Sequence, residues 1–534
     1  MSKQLYAHTE RLSRFIIRRD RIRIPIWLFS LTIASVATAL ALANLYPNQE
    51  ERQAIAKTMI NPATTAIVGP GYGLDHYTLG AMMAHQMLGI TAFVVGIMSI
   101  LLVVRHTRAD EEHGRIEIIR SLPTGRLSHL TATILVVCGV NVLLAFMHGF
   151  GLYLLNIESM DLEGSLLYGA ALGATGLFFT AIGAFFAQLS DSSRGTIGLS
   201  FAVLGLAYLI RAVGDVSNQT LSWFSPFGWV QGTEVYVNNY WWPIFLTVGI
   251  AFVFIILALY LNVRRDLESG FLPSKPGRKH ASSFLLSPLG LNLRLQRTGL
   301  LAWSIGLFVF GATYGSVLGD TESFFEEVEI MQELLRPKEG VSLTEQFLTL
   351  LMTIISMVCT IPALMAMFKL KGEEKNNRTE HVLARAVSRT HLMSSYFIIS
   401  LVSGFVMLSI AALGMGIAAT TAMDNGIALS MFMKAAWVYL PAICVMIGIA
   451  VFLIGVAPKL TGLTWLYLVY SYVVVYLGGL FQFPDWMAKL SPYGHIPKWP
   501  IEDMAFTPVA MLTMIALVLI GSGYIGYNKR DIAG

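Results

Sequence analysis

Charged residues are scarce in this sequence: Asp, Glu, Lys and Arg make up 13% of the 534 residues, whereas hydrophobic residues make up 55%. Because soluble domains carry about a quarter charged residues, this balance excludes an ordinary soluble globular protein. The apolar runs repeatedly reach the ~20 residues that cross a bilayer. The sequence therefore predicts an all-α polytopic membrane protein with about twelve transmembrane helices, at 24–44, 82–104, 128–154, 166–188, 197–215, 243–263, 299–318, 346–368, 393–418, 432–456, 462–481 and 506–526.

Cysteine is also rare. The three cysteines, Cys138, Cys359 and Cys444, all fall inside predicted spans, and none has the C-x-x-C spacing of metal ligands. We therefore expect no metal site and no disulfide framework. Burial among apolar neighbours is the expected environment of the three thiols.

Several motifs of catalysis and energy coupling are missing as well. No Asp or Glu lies in the middle of a predicted span, which disfavours an ion-coupled carrier because such carriers commonly hold an ionisable group at mid-membrane. The sequence has no G-x-x-x-x-G-K-[ST] phosphate-binding loop and no H-E-x-x-H or G-x-S-x-G motif. We expect neither an enzyme nor a cofactor bound by this chain. If ATP drives the protein, a separate polypeptide must bind the nucleotide.

What the sequence does contain is one polar stretch that occurs twice. Residues 110–126, here called island 1, and residues 373–389, island 2, each follow a predicted span directly. Five charged positions recur with matching sign at an offset of 263 residues: Asp110 and Glu373, Glu111 and Glu374, Arg115 and Arg378, Glu117 and Glu380, and Arg126 and Arg389. In a chain with so few charges, this correspondence indicates a shared role.

Each island is predicted to form a short amphipathic helix with a charged face turned away from the membrane. Glu111 and Arg115 are four residues apart, as are Glu374 and Arg378, so each pair is expected to share a helix face. Pro123 should end the first helix, whereas island 2 has no proline there and its helix is expected to run further.

Two further signatures repeat in the same order. Ser225-Pro226-Phe227-Gly228 recurs as Ser491-Pro492-Tyr493-Gly494, and Arg264-Arg265-Asp266-Leu267 recurs as Lys529-Arg530-Asp531-Ile532. Three signatures at nearly constant offset predict an internal duplication. We expect two parallel six-helix repeats, at 1–263 and 299–534, joined by a basic linker with an interfacial segment at 264–298.

Positive charge predicts the orientation. Most of the 37 Lys and Arg fall in segments that would lie on one side of the membrane. Because positive residues are retained on the cytoplasmic side, both termini and both islands are expected in the cytoplasm, beneath the cell membrane. The net charge of +4 does not indicate nucleic acid, since the cations lie next to the membrane ends. Residues 4–20 are expected to form an interfacial helix.

A few polar residues lie inside predicted spans. His85, Gln86 and Arg211 are candidates for a substrate pathway. A plainer interpretation is that His85 and Gln86 hydrogen-bond a neighbouring helix. Arg211 lies towards the end of a span, from which a long side chain can extend to water.

The duplicated E-E-x-x-x-R-x-E islands, the S-P-[FY]-G segments and the R-D-[LI] exits resemble those of ABC transporter permeases of the type-2 exporter class. With Asn61-Pro62-Ala63 and Gly69-Pro70 in its first outer segment, the chain is most similar to the fused twelve-span branch called exporters of polyketide antibiotics. The resemblance implies that each island is a coupling helix, seated on one of two copies of a separate ABC ATPase that binds ATP and Mg. The contact residues it implies are Glu111, Glu112, Arg115, Glu117, Arg126, Glu373, Glu374, Arg378, Glu380 and Arg389.

The resemblance also implies an external gate at the outer ends of the fifth and eleventh spans, formed by Pro226, Phe227, Gly228, Pro492, Tyr493 and Gly494. The cargo it implies is a hydrophobic or amphiphilic compound, such as an antibiotic or a lipid-like molecule, exported from a bacterium by alternating access. Island 2 departs from island 1 in having Asn377 for Gly114 and Ala386 for Pro123, so the two docking sites need not be equal. The alternative is a proton-coupled multidrug transporter of six-plus-six topology, which also has a charged loop after its second span.

Overall fold

The computed structural model describes residues 5–60, 62–266, 269–272, 279–318, 343–422, 428–476, 483–501 and 505–531. The chain divides into two compact units, Met1–Pro276 and Gly277–Gly534. The division falls inside the segment 264–298 that the sequence marks as a linker. Helices dominate both units, and within the described ranges the one β-type pairing is an isolated bridge between Ser190 and Leu272.

The first unit opens with a short helix and then contains both long and short helices. In chain order they are α1 (Thr9–Arg19), α2 (Arg23–Leu45), α3 (Gln49–Thr58), α4 (Pro62–Val68), α5 (Leu79–Arg105), α6 (Arg108–Glu112), α7 (Arg115–Arg120), α8 (Ser128–Tyr153), α9 (Leu162–Leu189), α10 (Ser193–Ser217), α11 (Gln219–Ser222), α12 (Pro226–Gln231) and α13 (Trp242–Arg264). Six of them, α2, α5 with its extension α6, α8, α9, α10 and α13, are long and apolar enough to cross a membrane.

Local sequence accounts for where several spans begin. The side chains of Thr78, Asp161 and Ser192 each accept a hydrogen bond from a backbone N–H in the first turn of α5, α9 and α10, respectively. These caps satisfy donors that a helix leaves without an intrahelical partner.

Helix α9 lies at the centre of the first unit, where it packs against α5, α8 and α13. One polar cluster links three of these helices. The Asn141 amide nitrogen on α8 lies 3.1 Å from Ser99 Oγ on α5 and 3.3 Å from Thr180 Oγ1 on α9. Hydrogen bonds of this kind hold helices together in a membrane, where the hydrophobic effect does not distinguish a helix neighbour from lipid.

The second unit has a similar order of helices. Its helices are α14 (Pro288–Val317), α15 (Leu343–Lys375), α16 (Arg378–Leu383), α17 (Arg389–Ala422), α18 (Leu429–Trp437), α19 (Leu440–Val456), α20 (Leu463–Tyr476), α21 (Asp485–Lys489) and α22 (Phe506–Lys529). Five candidate spans lie in it, formed by α14, α15, α17, α18 with α19, and α22. The described residues therefore hold eleven candidate spans. The predicted span 462–481 corresponds to α20, and its residues 477–481 lie outside the described residues. Most of 320–345 lies outside them as well; this stretch is acidic, and the sequence predicts that it is the outer segment of the second half, helical through 324–335.

The S-P-aromatic-G segment has the same local geometry in both units. Ser225 Oγ accepts a hydrogen bond from Phe227 N at 3.2 Å. A Cβ placed on Gly228 would lie 2.0 Å from the carbonyl oxygen of Ser222, so only glycine fits this approach. The second copy repeats both features with Ser491, Tyr493, Gly494 and Ala488, at 3.3 Å and 2.1 Å.

We expect Gly228→Ala to lower the stability of the protein by about 1–3 kcal/mol, because the added methyl group forces the backbone of α12 away from Ser222. The matched control is Gly249→Ala on α13, where a Cβ meets no atom within 4 Å. Thermal unfolding in detergent measures both. Equal midpoints for the two variants would contradict the close approach.

Candidate functional site

Both islands turn at a residue in the left-handed backbone region. In island 1 this residue is Gly114 (φ 69°), between α6 and α7. In island 2 it is Asn377 (φ 57°), between α15 and α16. Asparagine is one of the few side chains that adopt this conformation readily. The backbone turn is therefore the same in both islands, although island 2 has Asn377 where island 1 has Gly114.

The two island helices have equal length. Helix α7 spans Arg115–Arg120 and α16 spans Arg378–Leu383, and these are the same positions at the offset of 263. The turns that follow also match, since Thr124 N donates to Leu122 O and Val387 N donates to Arg385 O, both at 2.6 Å. The prediction of a longer second helix is therefore wrong, because the turn forms without a proline at that position.

The first acid of each island is buried and pairs with the island arginine. Arg115 Nη1 lies 2.8 Å from Asp110 Oδ1, and Arg378 Nη1 lies 3.5 Å from Glu373 Oε2. The predicted i,i+4 pairing of these arginines with the second acid is wrong. The left-handed residue rotates the short helix relative to the preceding one, so the ion pair reaches back five residues instead of four.

The second partner of this first acid differs between the units. Asp110 also accepts two hydrogen bonds from Arg19 of α1, at 2.7 and 3.0 Å. Glu373 instead pairs with Lys369 of its own helix, at 2.8 Å. Island 1 is thus attached to the helix α1 that precedes its first span, whereas the corresponding acid of island 2 is neutralised within α15.

The second acid of each island pairs with the arginine at the exit of the last helix of its unit. Arg265 Nη2 lies 2.9 Å from Glu111 Oε2, and Arg530 Nη2 lies 2.9 and 2.7 Å from the two carboxylate oxygens of Glu374. Both acids are buried. The sequence analysis includes both acids among the residues expected to contact a partner, which would require them to be exposed. In the structure Glu111 and Glu374 instead face the interior of their units.

The last island arginine closes the same cluster. Arg126 Nη2 donates to the carbonyl oxygen of Arg265 at 2.9 Å. In the second unit Arg389 Nη1 donates to the carbonyl oxygen of Arg530 at 2.7 Å. We call each of these clusters an exit clamp: Glu111, Arg265 and Arg126 in the first unit, and Glu374, Arg530 and Arg389 in the second. The exit clamps explain why the second acid and the last arginine keep the same spacing in the two islands, since each of these charges has a fixed internal partner.

Glu117 and Glu380 differ from the other island acids. Both are exposed, and neither makes a hydrogen bond or an ion pair through its side chain within the described part of the chain. Arg115 and Arg378 remain about half exposed next to them. Glu112 is exposed too, but its carboxylate accepts hydrogen bonds from Ser193 N and Oγ at the start of α10, at 2.7 and 2.5 Å.

Near Glu117 and Glu380 the two islands expose different types of side chain. Island 1 exposes Ile118 and Leu122, at 69% and 57% of their surface. The equivalent positions of island 2 are His381 and Arg385, both exposed. At these two positions the short helices thus carry apolar side chains in one unit and basic side chains in the other, whereas Arg120 of island 1 is exposed where island 2 has Leu383. The sequence repeat gave no signal for this difference, because the positions lie between the matched charges.

The proposed gate residues lie deeper than the sequence predicts. Pro226, Phe227, Pro492 and Tyr493 are buried, whereas Gly494 is exposed. The Phe227 ring lies 6.0 Å from that of Phe93, which is close to the middle of α5. In the second unit the hydroxyls of Tyr493 and Thr360 lie 2.6 Å apart, with Thr360 within α15. Each segment therefore folds back into its unit instead of remaining at the end of the preceding span, which is tolerated in membranes where the backbone is buried in protein.

The three candidates for a substrate pathway lie in one cluster, in which Arg211 and His85 bind backbone carbonyls near the end of α4. Arg211 Nη2 donates to the oxygens of Ala66 and Ile67, both at 3.0 Å. His85 Nε2 donates to Gly69 O at 3.0 Å. These bonds satisfy carbonyls that a helix end leaves without an intrahelical partner, and an arginine there also suits the helix dipole.

A second set of contacts fixes the protonation of His85. Since a carbonyl only accepts, Nε2 carries the proton, and Nδ1 accepts from the Tyr77 hydroxyl at 2.9 Å. Burial raises the pKa of Tyr77, which keeps this hydroxyl protonated as the donor. Gln86 lies near the same hydroxyl. The plainer interpretation, hydrogen bonding to neighbouring segments, describes His85 and Arg211 as the structure has them, and their role in a substrate pathway stays a prediction.

Within the described ranges no three or more His, Cys, Asp or Glu side chains are grouped so as to hold a metal ion. The eleven apolar helices of spanning length among the described residues define a multi-pass, all-α membrane protein. The family model described as "Multidrug efflux system permease Rv1217c, C-terminal domain" matches residues 14–261 and 285–528. The multidrug efflux system permease protein Rv1217c of Mycobacterium tuberculosis (strain ATCC 25618 / H37Rv) is 35% identical over 531 residues, which cover 99% of this chain and 96% of that protein. The chain therefore belongs to this family of membrane permeases, which are transporters.

We expect Arg530→Met to destabilise the second unit by about 3–5 kcal/mol, because it leaves the buried Glu374 without its cationic partner. Adding Glu374→Gln should restore most of the loss, since no unpaired charge then remains. Thermal unfolding of the purified protein measures both, and Arg385→Met provides the control of an exposed arginine in the same unit. A double variant as unstable as Arg530→Met would contradict the pairing.

Proposed function

We propose that this chain is the permease of an ATP-driven exporter of the ABC type-2 class, within or near the branch that exports polyketide antibiotics. It moves hydrophobic or amphiphilic compounds out of the cell, and two copies of a separate ATPase subunit dock on α7 and α16. The observation that carries the proposal is the pair of exposed carboxylates, Glu117 and Glu380, at equivalent positions of two short helices that are held rigidly by buried ion pairs.

The contacts of island 1 support the proposal that it transmits movement from the ATPase to the membrane spans. It continues directly from α5, and Arg265 joins it to the end of α13. Arg108 Nε donates to Ala187 O near the end of α9 at 2.6 Å, and Glu112 binds the first residue of α10. These contacts belong to α6, to which α7 is joined by the ion pair between Arg115 and Asp110. A displacement of α7 and α6 together is therefore transmitted to the ends of four candidate spans at once, which is how a partner's movement reaches the transport path.

Alternating access then follows as a population shift. ATP binding draws the two ATPase subunits together, and the conformation that fits the closed pair gains population by the difference in docking free energy between the two states. In this proposal both termini and both islands face the cytoplasm, and the S-P-aromatic-G segments close the opposite side. ATP and Mg bind to the partner and not to this chain.

The cargo is proposed from two observations. The most buried helices present apolar side chains and hydroxyls to one another, which suits a hydrophobic or amphiphilic compound. The Mycobacterium tuberculosis relative is named a multidrug efflux system permease protein. We infer that this chain exports compounds of the same broad kind.

Proton-coupled transport is the alternative function. Among the described candidate spans every Asp and Glu lies near a helix end, and Asp215, near the end of α10, is paired with Arg211 at 3.2 Å. An unpaired acid at mid-membrane, typical of proton carriers, is not found in these spans. Dissipating the proton gradient separates the two mechanisms, since a carrier stops while an ATP-driven exporter continues.

We expect the double variant Glu117→Lys/Glu380→Lys to fold normally but to lose coupling between ATP hydrolysis and transport. The exposed lysines reverse the charge presented to the ATPase without disturbing the buried pairs. The measurement is substrate-stimulated ATPase activity of the reconstituted complex, beside its thermal stability. The matched control is Glu158→Lys, an exposed charge reversal in the loop at the opposite end of α8. Unchanged stimulation in the double variant would remove the basis for the docking assignment.

The different surfaces of the two islands predict unequal docking. Charged contacts weaken as salt screens them, whereas apolar contacts do not. Raising the ionic strength should therefore release the ATPase from island 2 first, so that the number of ATPase copies per permease falls from two towards one. Ile118→His/Leu122→Arg gives island 1 the side chains that island 2 has at these two positions. In this variant the complex with a single ATPase copy should no longer be observed. Simultaneous release of both copies from the unaltered protein would contradict unequal docking.

A further inference from the structure

A cleft lies at the start of the second unit, between a folded-back segment and the first turns of α14. A short 3-10 helix, Ser283–Leu286, precedes α14, and Ser287 caps α14 by accepting from Gly290 N at 3.0 Å. A Cβ on Gly290 would lie 1.9 Å from the carbonyl oxygen of Phe284, so the segment sits directly against the helix. The cleft has a volume of about 660 Å³ and is lined by His280, Ala281, Ser282, Phe284, Leu285, Leu293, Arg294 and Arg297. This size lies within the usual range of ligand sites, roughly 300–1,000 Å³.

Two arginines supply the positive charge of this cleft. Arg294 and Arg297 are three residues apart on α14, so they lie on one helix face. Both are exposed, and neither forms an ion pair or a side-chain hydrogen bond with the described residues. In this respect they differ from Arg265 and Arg530, which form ion pairs with Glu111 and Glu374. A guanidinium pair of this kind matches the geometry of a phosphate group.

The remaining lining is apolar. Phe284, Leu285 and Leu293 face the same space, and Leu286 next to them is 75% exposed. Helix α14 forms a candidate span, Pro288–Ser316, so the cleft lies at the membrane end of that span. A free anion would use only the arginines and would leave the apolar lining against water. A ligand with an anionic head and hydrocarbon chains satisfies both.

We propose that this cleft binds one anionic phospholipid. Arg294 and Arg297 bind its phosphate, and its acyl chains lie against Phe284 and Leu293 before they enter the bilayer beside α14. Basic pockets at the membrane ends of spans recognise lipid headgroups in this way. The site does not depend on the energy source or on the cargo, and the lipid it holds fixes the start of the second unit at the membrane surface.

The test uses the purified full chain in detergent, with phosphatidylglycerol as the anionic probe and phosphatidylcholine as the zwitterionic one. Native mass spectrometry gives the apparent Kd of the first bound lipid. Arg294→Gln/Arg297→Gln should weaken the first phosphatidylglycerol about tenfold or more. The matched control is Arg18→Gln/Arg21→Gln, which removes two exposed arginines with the same spacing just before α2 and should leave that first Kd unchanged.

A second variant keeps the charge and fills the cleft. Leu293→Trp should also weaken the first phosphatidylglycerol, because the indole occupies the space of the acyl chains while both arginines remain. Equal weakening by the control variant, or equal affinity for phosphatidylcholine, would overturn the proposal. Competition by inorganic phosphate at the affinity of the lipid would overturn it as well, since the site would then bind a free anion.

Discussion

The buried ion pair between the second island acid and the exit arginine is the constraint on which both islands depend. Glu111 with Arg265, and Glu374 with Arg530, place opposite charges together away from water. Neither partner can be left alone, because an unpaired buried charge costs several kcal/mol. The end of the second long helix and the end of the last helix of each unit are therefore joined, and the short island helix takes its position from that joint.

The two units show which parts of this arrangement tolerate change. The left-handed turn accepts glycine or asparagine, Gly114 or Asn377, because both adopt the same backbone. The other partner of the first acid varies between Arg19, on a separate helix, and Lys369, one turn away on the same helix. The exit clamp does not vary. Two exposed positions outside it differ, since Ile118 and Leu122 of island 1 correspond to His381 and Arg385 of island 2.

At the other end of the first unit, buried polar side chains bind backbone carbonyls. Arg211 and His85 donate to carbonyls at the end of α4, and Gln231 donates to Val68 O at 2.6 Å in the same cluster. Carbonyls near a membrane core must be satisfied by protein groups when water is excluded. This requirement is one physical reason for His85 and Arg211 to lie inside spans, and their role in a substrate pathway stays a prediction.

The sequence by itself determined the class of protein, the positions of most spans and the repeat of three signatures, because these depend on local composition and on spacing along the chain. Apolar runs of spanning length can be located from short stretches of the sequence alone, and the caps of Thr78 and Asp161 are equally local. The tertiary structure alone decided which island charges are buried. Arg265 lies 154 residues from Glu111, and a pairing over that distance leaves no periodic pattern. It also decided that Glu117 and Glu380 stay exposed, since exposure depends on what packs nearby and not on the residue itself.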